Sequence, residues 1–151
     1  MANIDLKLIK KLRDETSASI ADCRRALDAA NGNYDKALEW LKKRAAEIAA
    51  KKADRETSEG IIEAYIHQGG KVGVLVELLC ETDFVAKTDE FKHLAKEIGM
   101  QVAAMNPTDV ETLLKQEYIR DGSQTIESLV KAAVGKTGEN IIVKRFTRFE
   151  I

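Results

Sequence analysis

Residues 72–86, VGVLVELLCETDFVA, contain a strand pattern followed at once by a helix start. In the first nine residues, apolar side chains recur at every second position, the spacing of a β-strand with one buried face. These side chains are Val72, Val74, Val76, Leu78 and Cys80. In the last five residues, TDFVA, either Thr82 or Asp83 can cap the first turn of a helix. The stretch therefore predicts a strand that passes directly into a helix.

The segments on either side of this stretch extend the pattern. Upstream, Ile62, Ala64 and Ile66 share one face of a second strand. Gln68-Gly69-Gly70 supplies the turn of a β-hairpin with one strongly apolar face. Downstream, apolar residues at helical spacing predict a helix that ends at Asn106-Pro107. Its stripe consists of Phe91, Leu94, Ala95, Ile98, Val102 and Met105.

Two further helices and a third strand complete this half of the chain. Thr108 and Glu111 predict a capping box for a short helix. Residues 126–134 predict another helix, and residues 140–151, rich in Ile, Val and Phe, predict a strand. Residues 58–151 are therefore predicted to form an α+β core domain, in which a small three-stranded antiparallel sheet packs on helices.

Residues 1–45 have a different pattern, with three short apolar stripes at three-to-four spacing. Helices this short are stable only when they pack together, so we predict a compact three-helix bundle. Ser19 followed by Asp22 suits a helix start, Gly32 suits a helix end, and Asn33 can cap the third helix.

The segment at 46–57 is rich in alanine and charge, which predicts an exposed helical linker between bundle and core.

Over all 151 residues, 24 Lys and Arg stand against 25 Asp and Glu. No strong field directs the molecule toward nucleic acid or a membrane, so neither is expected as a direct partner. The first five residues lack a basic region followed by an apolar run, and no segment reaches the roughly 20 apolar residues that span a bilayer. We expect a cytoplasmic protein.

Several other motifs favour structural roles over chemistry. Gly135-Lys136-Thr137 lacks the earlier glycine of a phosphate-binding loop and runs from helix into strand, so no nucleotide is expected to bind this chain. His67 and His93 have no catalytic partner at recognisable spacing. Cys23 and Cys80 are expected to be buried free thiols. We therefore expect no catalytic residues, no metal site, no cofactor and no enzymatic activity.

The TDFVA segment has two interpretations. The residues alone favour a helix cap followed by a hydrophobic staple through Phe84 or Val85. The other interpretation depends on the resemblance of nearly the whole chain to the elongation factor Ts family. The blocks that carry it are LRDET at 12–16, DCRRAL at 22–27, AAKKA at 49–53, ELLCETDFVA at 77–86 and GENI at 138–141.

This resemblance implies a guanine-nucleotide exchange factor for the translational GTPase elongation factor Tu, in a bacterial cytoplasm or an organelle matrix. It implies that the bundle is like a ubiquitin-associated domain and docks on the GTPase. The implied docking residues are Arg13, Ile20, Ala21 and Arg24. The residues implied to dislodge the Mg²⁺ of the partner, and so to release its GDP, are Thr82, Asp83, Phe84 and Val85.

The chain departs from long members of the family in size. Those members carry two related core halves and a helical insertion, whereas only about thirty residues separate Pro107 from the last predicted strand. Short members are homodimers, which implies a two-fold dimer of core domains with Phe146 and Phe149 as candidate interface residues.

A function of a different class stays open on the residues alone. The chain could be a non-catalytic protein-binding module whose bundle recognises another protein and whose core only dimerises. The feature that separates the two hypotheses is Asp83-Phe84 at a helix start, which a dimerisation domain does not need.

Overall fold

The computed structural model describes residues 5–151, so the first four residues of the predicted bundle lie outside the described residues. Seven helices and five strands occur in this range. The helices are α1 (Leu6–Thr16), α2 (Ile20–Ala29), α3 (Tyr34–Lys52), α4 (Asp83–Ala86), α5 (Asp89–Met105), α6 (Val110–Lys115) and α7 (Ile126–Thr137). The strands are β1 (Glu59–Ile66), β2 (Val72–Cys80), β3 (Glu117–Tyr118), β4 (Asp121–Thr125) and β5 (Ile142–Glu150). The predicted α+β class is confirmed.

The main sheet has three antiparallel strands, as predicted, and their order is β1-β2-β5. The inner side chains of the central strand β2, from Val74 to Cys80, are buried. Helix α5 packs against β1 and β2 and contributes Phe91, Ile98 and Val102 to the same core. The sheet thus has one face covered by helices, the arrangement expected for an antiparallel sheet in an α+β domain.

The predicted inner face of β1 is wrong by one residue. Ile61 and Tyr65 pack against the core, whereas Ile62 and Ile66 lie on the outer face with 66% and 65% of their surface exposed. The reason is the strand register, which places Ile61 opposite Leu78 and Tyr65 opposite Val74. Residues directly opposite in an antiparallel pair point to the same side of the sheet. The outer face of the sheet is consequently rich in apolar side chains.

The stripe predicted on α5 is buried at every position except Met105, which is half exposed. The prediction for Met105 is wrong because α5 ends at this residue, and Asn106 turns the chain away with a φ of 45°. The prediction for the next helix start is also wrong. Asp109, rather than Thr108, caps α6 by accepting a hydrogen bond from the amide of Thr112 at 2.7 Å.

The β3–β4 hairpin between α6 and α7 was not predicted, because β3 has only two residues. Buried polar side chains of α5 hold it in place. Gln101 donates to the carbonyl of Glu117 at 3.0 Å and accepts from the amide of Ile119 at 3.0 Å. The hydroxyl of Tyr118 donates to buried Glu97, and burial together with this carboxylate raises the pKa of Tyr118 to about 12.

The helices α1, α2 and α3 form the predicted bundle around their own apolar cluster. Its predicted caps are confirmed, since Ser19 and Asn33 accept hydrogen bonds from the amides of Asp22 and Lys36. Gly32 turns the chain after α2 at a φ of 79° and donates to the carbonyl of Leu27.

The interpretation of residues 46–57 as an exposed spacer is wrong for residues 46–52, because α3 continues to Lys52 and packs on α7. Residues 53–56 are exposed. Ala49 is buried in the core cluster. A Cβ built on Gly135 would lie 3.2 Å from the Cβ of Ala45, so small residues let the two helices approach closely. One helix therefore belongs to both the bundle and the core.

Replacing Gly60 by alanine is expected to destabilise the protein by about 2 kcal/mol or more. Gly60 has a φ of 155°, and an added Cβ would overlap the carbonyl oxygen of Leu78 and lie 2.8 Å from the Cα of Leu79. The matched control is Gly122→Ala, because the nearest atom to an added Cβ there is 3.8 Å away. Urea unfolding of both variants checks this, and the control should stay within about 0.5 kcal/mol of the parent. Equal stability of the two variants would contradict the close approach at Gly60.

Candidate functional site

The TDFVA segment forms a single helical turn, α4, between the central strand and the long helix α5. Thr82 is its N-cap, and the Thr82 hydroxyl oxygen accepts from the amide of Val85 at 3.4 Å. The amide of Lys87 closes the turn on the carbonyl of Asp83 at 3.1 Å. Thr88 then caps α5 by accepting from the amide of Phe91. Two successive caps thus define a short tip, residues 82–88, at one end of the sheet.

Neighbouring residues of the tip differ in burial. Ala86 is buried and Val85 packs against the core, whereas Phe84 has 80% of its surface exposed. The hydrophobic staple predicted through Phe84 or Val85 therefore does not involve Phe84, and Val85 and Ala86 anchor the turn. An aromatic ring of this exposure contributes little to the fold, while it offers a large apolar surface to another molecule.

Asp83 lies beside Phe84 on the exposed side of the tip. Its carboxylate accepts a hydrogen bond from the ammonium group of Lys87 at 2.8 Å. This bond and the positive charge of Lys87 lower the pKa of Asp83 below its usual value. The pair is exposed to solvent, so its contribution to stability is small, and its main effect is to orient the two side chains.

The base of the tip contacts a carboxylate that is remote from it in sequence. Glu139, directly after α7, accepts from the amides of Glu81 and Thr82 at 3.1 and 2.9 Å and from the Thr82 hydroxyl at 2.6 Å. The carboxylate of Glu81 in turn accepts from the amide of Asn140 at 2.7 Å. Glu139 was not predicted as a site residue. Its place in the GENI block was the available signal, but the contact spans 57 residues of sequence.

The predicted docking residues of the bundle lie around the α1–α2 loop and are all exposed. Arg13 is in the last turn of α1, and its carbonyl accepts from the amide of Ser17 at 2.7 Å. Ile20 and Ala21 open α2, with Arg24 one turn later. Ile20 exposes more than half of its surface, so the group contains an exposed apolar side chain as well as two cationic ones. The structure thus gathers these four residues on one loop and its flanking turns.

The remaining candidate groups have structural contacts. Lys136 pairs with Glu90, and the Thr137 hydroxyl donates to the carbonyl of Ala133 at 2.8 Å. Cys23 and Cys80 are buried free thiols, as predicted. Burial raises the pKa of Cys80 to about 11, so at neutral pH its reactive thiolate is scarce.

Residues 5–151 contain no arrangement typical of a metal site or of a membrane-spanning helix. No group of three or more His, Cys, Asp or Glu side chains in this range is arranged to hold a metal ion. None of the helices described in it is long and apolar enough to cross a membrane.

Known proteins resemble this chain along almost its full length. The family model for Elongation factor TS matches residues 81–151. Elongation factor Ts of Thermotoga maritima is 42% identical over 191 aligned positions, covering 98% of this chain and 96% of the relative. The protein of Thermoanaerobacter pseudethanolicus is 40% identical over 192 positions, covering 97% and 94%. The chloroplastic protein of Guillardia theta is 42% identical over 194 positions, covering 98% and 89%.

Each alignment is longer than the 151 residues of this chain, so each relative contains residues that this chain lacks. The similarity nevertheless includes both the bundle and the core. Fold and similarity together define a translation elongation factor. The chain belongs to the elongation factor Ts family.

Replacing Phe84 by alanine is expected to change the free energy of unfolding by no more than about 0.5 kcal/mol, because the ring is exposed. The matched control is Phe91→Ala, which removes the same side chain from a site with 1% exposure and should cost about 3–5 kcal/mol. Thermal and urea unfolding of both variants distinguish the two environments. A large loss at Phe84 would restore the hydrophobic-staple interpretation.

Proposed function

We propose that this chain is a guanine-nucleotide exchange factor that binds elongation factor Tu and accelerates release of its GDP. The single observation that carries the proposal is the exposed ring of Phe84, held on a capped helical turn by buried neighbours. Membership of the elongation factor Ts family supports the choice of partner. The relatives come from bacteria and from a chloroplast, which favours a bacterial cytoplasm or an organelle matrix as its location.

The proposed mechanism is displacement of a metal ion in the partner. GTPases of this class hold GDP through phosphate contacts and a Mg²⁺ that takes near-ideal octahedral oxygen ligands. An apolar ring inserted beside such a site supplies no oxygen and shifts the side chains that position the metal. Loss of the metal weakens the phosphate contacts without any bond being made or broken. The exchange factor and GDP then weaken each other's binding to elongation factor Tu to the same extent.

In this proposal the bundle supplies a second contact with the partner. The exposed loop with Ile20 and Ala21, flanked by Arg13 and Arg24, offers a small apolar centre with cationic neighbours. Two contacts on one rigid chain raise the effective concentration of the tip at its target. The bundle would therefore govern affinity, and the tip would govern the rate of release.

Release of fluorescent GDP from elongation factor Tu tests the proposal. The parent chain should accelerate release, and Phe84→Ala should lower the accelerated rate at least about tenfold, since a buried aromatic contact is worth about 2 kcal/mol or more. The matched control is Met105→Ala, which removes another exposed apolar side chain far along α5 from the tip. Failure of the parent chain to accelerate release contradicts exchange activity. Binding to elongation factor Tu without acceleration would favour the binding-module alternative.

We also propose that the outer face of the main sheet forms a two-fold homodimer. Phe149 has 73% of its surface exposed and lies opposite Gly73, on the same side as Ile62 and Leu75. Phe146 lies opposite buried Val76 and packs on the core, so the proposed contact is centred on Phe149. Two such faces can stack about 10 Å apart, which removes their apolar side chains from water.

Sedimentation equilibrium tests the dimer, for which the expected mass is twice 16.8 kDa. Phe149→Lys should weaken dimerisation at least about tenfold, because it places a charge in an apolar contact. The matched control is Leu6→Lys, which changes an exposed apolar residue on α1 and should leave the dimer intact. A monomeric parent chain at micromolar concentration would exclude the proposed contact.

A further inference from the structure

We infer that Glu139 is a positioning residue, which holds the turn before Phe84 in the conformation that displays the ring. Its carboxylate lies at the junction of α7 and β5, remote in sequence from the tip but in contact with its base. The importance of this conformation for nucleotide exchange rests on the proposed function. The role of Glu139 in holding the turn does not depend on that function, so the two claims can be tested separately.

The amides of Glu81 and Thr82 require a partner at this position. Pairing of β2 with β1 ends at Cys80, and pairing with β5 ends at Leu79. Neither amide can join the hydrogen bonds of α4, which begins at Asp83. Partly buried amides without a partner are costly. One oxygen of Glu139 accepts from both, at 3.1 and 2.9 Å.

The second oxygen of Glu139 fixes the cap of α4. It accepts from the Thr82 hydroxyl at 2.6 Å, and the same hydroxyl oxygen accepts from the amide of Val85. Donation to a carboxylate therefore orients the lone pairs of Thr82 toward the helix start. Hydrogen bonds in such a chain strengthen one another, and bonds to an ionised acceptor are the stronger kind. Both oxygens of Glu139 thus act on the segment that carries Phe84.

Glu139 and its neighbour Asn140 are held in place by contacts with three parts of the chain. Its amide donates to the Thr137 hydroxyl at 3.3 Å, after Gly138 has ended α7 at a φ of 75°. The next amide, that of Asn140, donates to the carboxylate of Glu81. The Asn140 side chain donates to the carbonyls of Ala53 and Arg55, just beyond α3. The two turns therefore restrain each other, and α3 restrains both.

The experiment compares Glu139→Ala, Glu139→Gln and the double variant Phe84→Ala/Glu139→Ala in the full chain. Glutamine keeps an oxygen for the two amides but replaces the acceptor facing Thr82 with an amide group. Glu139→Gln should therefore keep part of the hydrogen bonding that Glu139→Ala removes. The matched control is Asp109→Ala, which deletes a carboxylate cap from α6, far from the tip in sequence.

The first readout is hydrogen exchange of backbone amides by NMR, which needs no partner. Glu139→Ala should raise the exchange rates of the Glu81 and Thr82 amides at least about tenfold, and Glu139→Gln should raise them less. The amide of Val76, in the middle of β2, should keep its rate, and Asp109→Ala should leave all three unchanged. Unchanged Glu81 and Thr82 amides in Glu139→Ala would overturn the inference, whatever its effect on activity.

The second readout is GDP release at several concentrations of the chain. Glu139→Ala should lower the maximal rate at least about tenfold but change the half-saturating concentration less than about threefold, because the bundle surface is intact. In the Phe84→Ala background it should have no further effect on the maximal rate. An equal loss in both backgrounds would overturn the inference. If the parent chain does not accelerate GDP release from elongation factor Tu, the proposed function is contradicted. The exchange rates of the Glu81 and Thr82 amides then decide the role of Glu139.

Discussion

The packing of β2 against α5 is the interaction on which the rest of the structure depends. Strand β2 is central in the sheet, and its inner side chains are buried under the helix. The chain must therefore turn back from the end of the strand onto its own covering helix through residues 81–88. A connection this short cannot be buried throughout, because its middle lies at the edge of the core. Phe84 lies in that middle and is exposed, while Val85 and Ala86 keep the turn attached.

The contacts around this connection anchor its backbone and leave the ring of Phe84 exposed. Apolar burial of Ala86 and polar contacts of Glu139 fix the backbone of the tip from two sides. Helix α3 adds a third support, since Lys52 donates to the carbonyl of Gly138 and Ala49 is buried in the core. The bundle and the core domain are consequently joined by one continuous helix. A rigid link of this kind suits a protein that we propose to contact its partner at two places.

Much of the fold could be predicted because it depends on local patterns. The alternation in β2, the stripe on α5 and the caps at Ser19 and Asn33 are contained within a few neighbouring residues each. The main errors arise where the outcome depends on distant parts of the chain. Residues 46–57 resembled a solvent-exposed helix because alanine suits both an exposed helix and a close helix–helix contact. The burial of Ala49 against the core distinguishes the two.

The sequence by itself determined the order of the elements, the three-stranded core, the three-helix bundle and the resemblance of TDFVA to a family motif. Tertiary structure alone decided which face of β1 is buried, because that depends on the register with β2. It also decided that Phe84 faces solvent while Val85 packs inward, and that Glu139 reaches Thr82 from 57 residues away. The physical reason is the same in each case. Periodicity and capping are properties of adjacent residues, whereas exposure and long-range hydrogen bonds depend on what the fold places beside them.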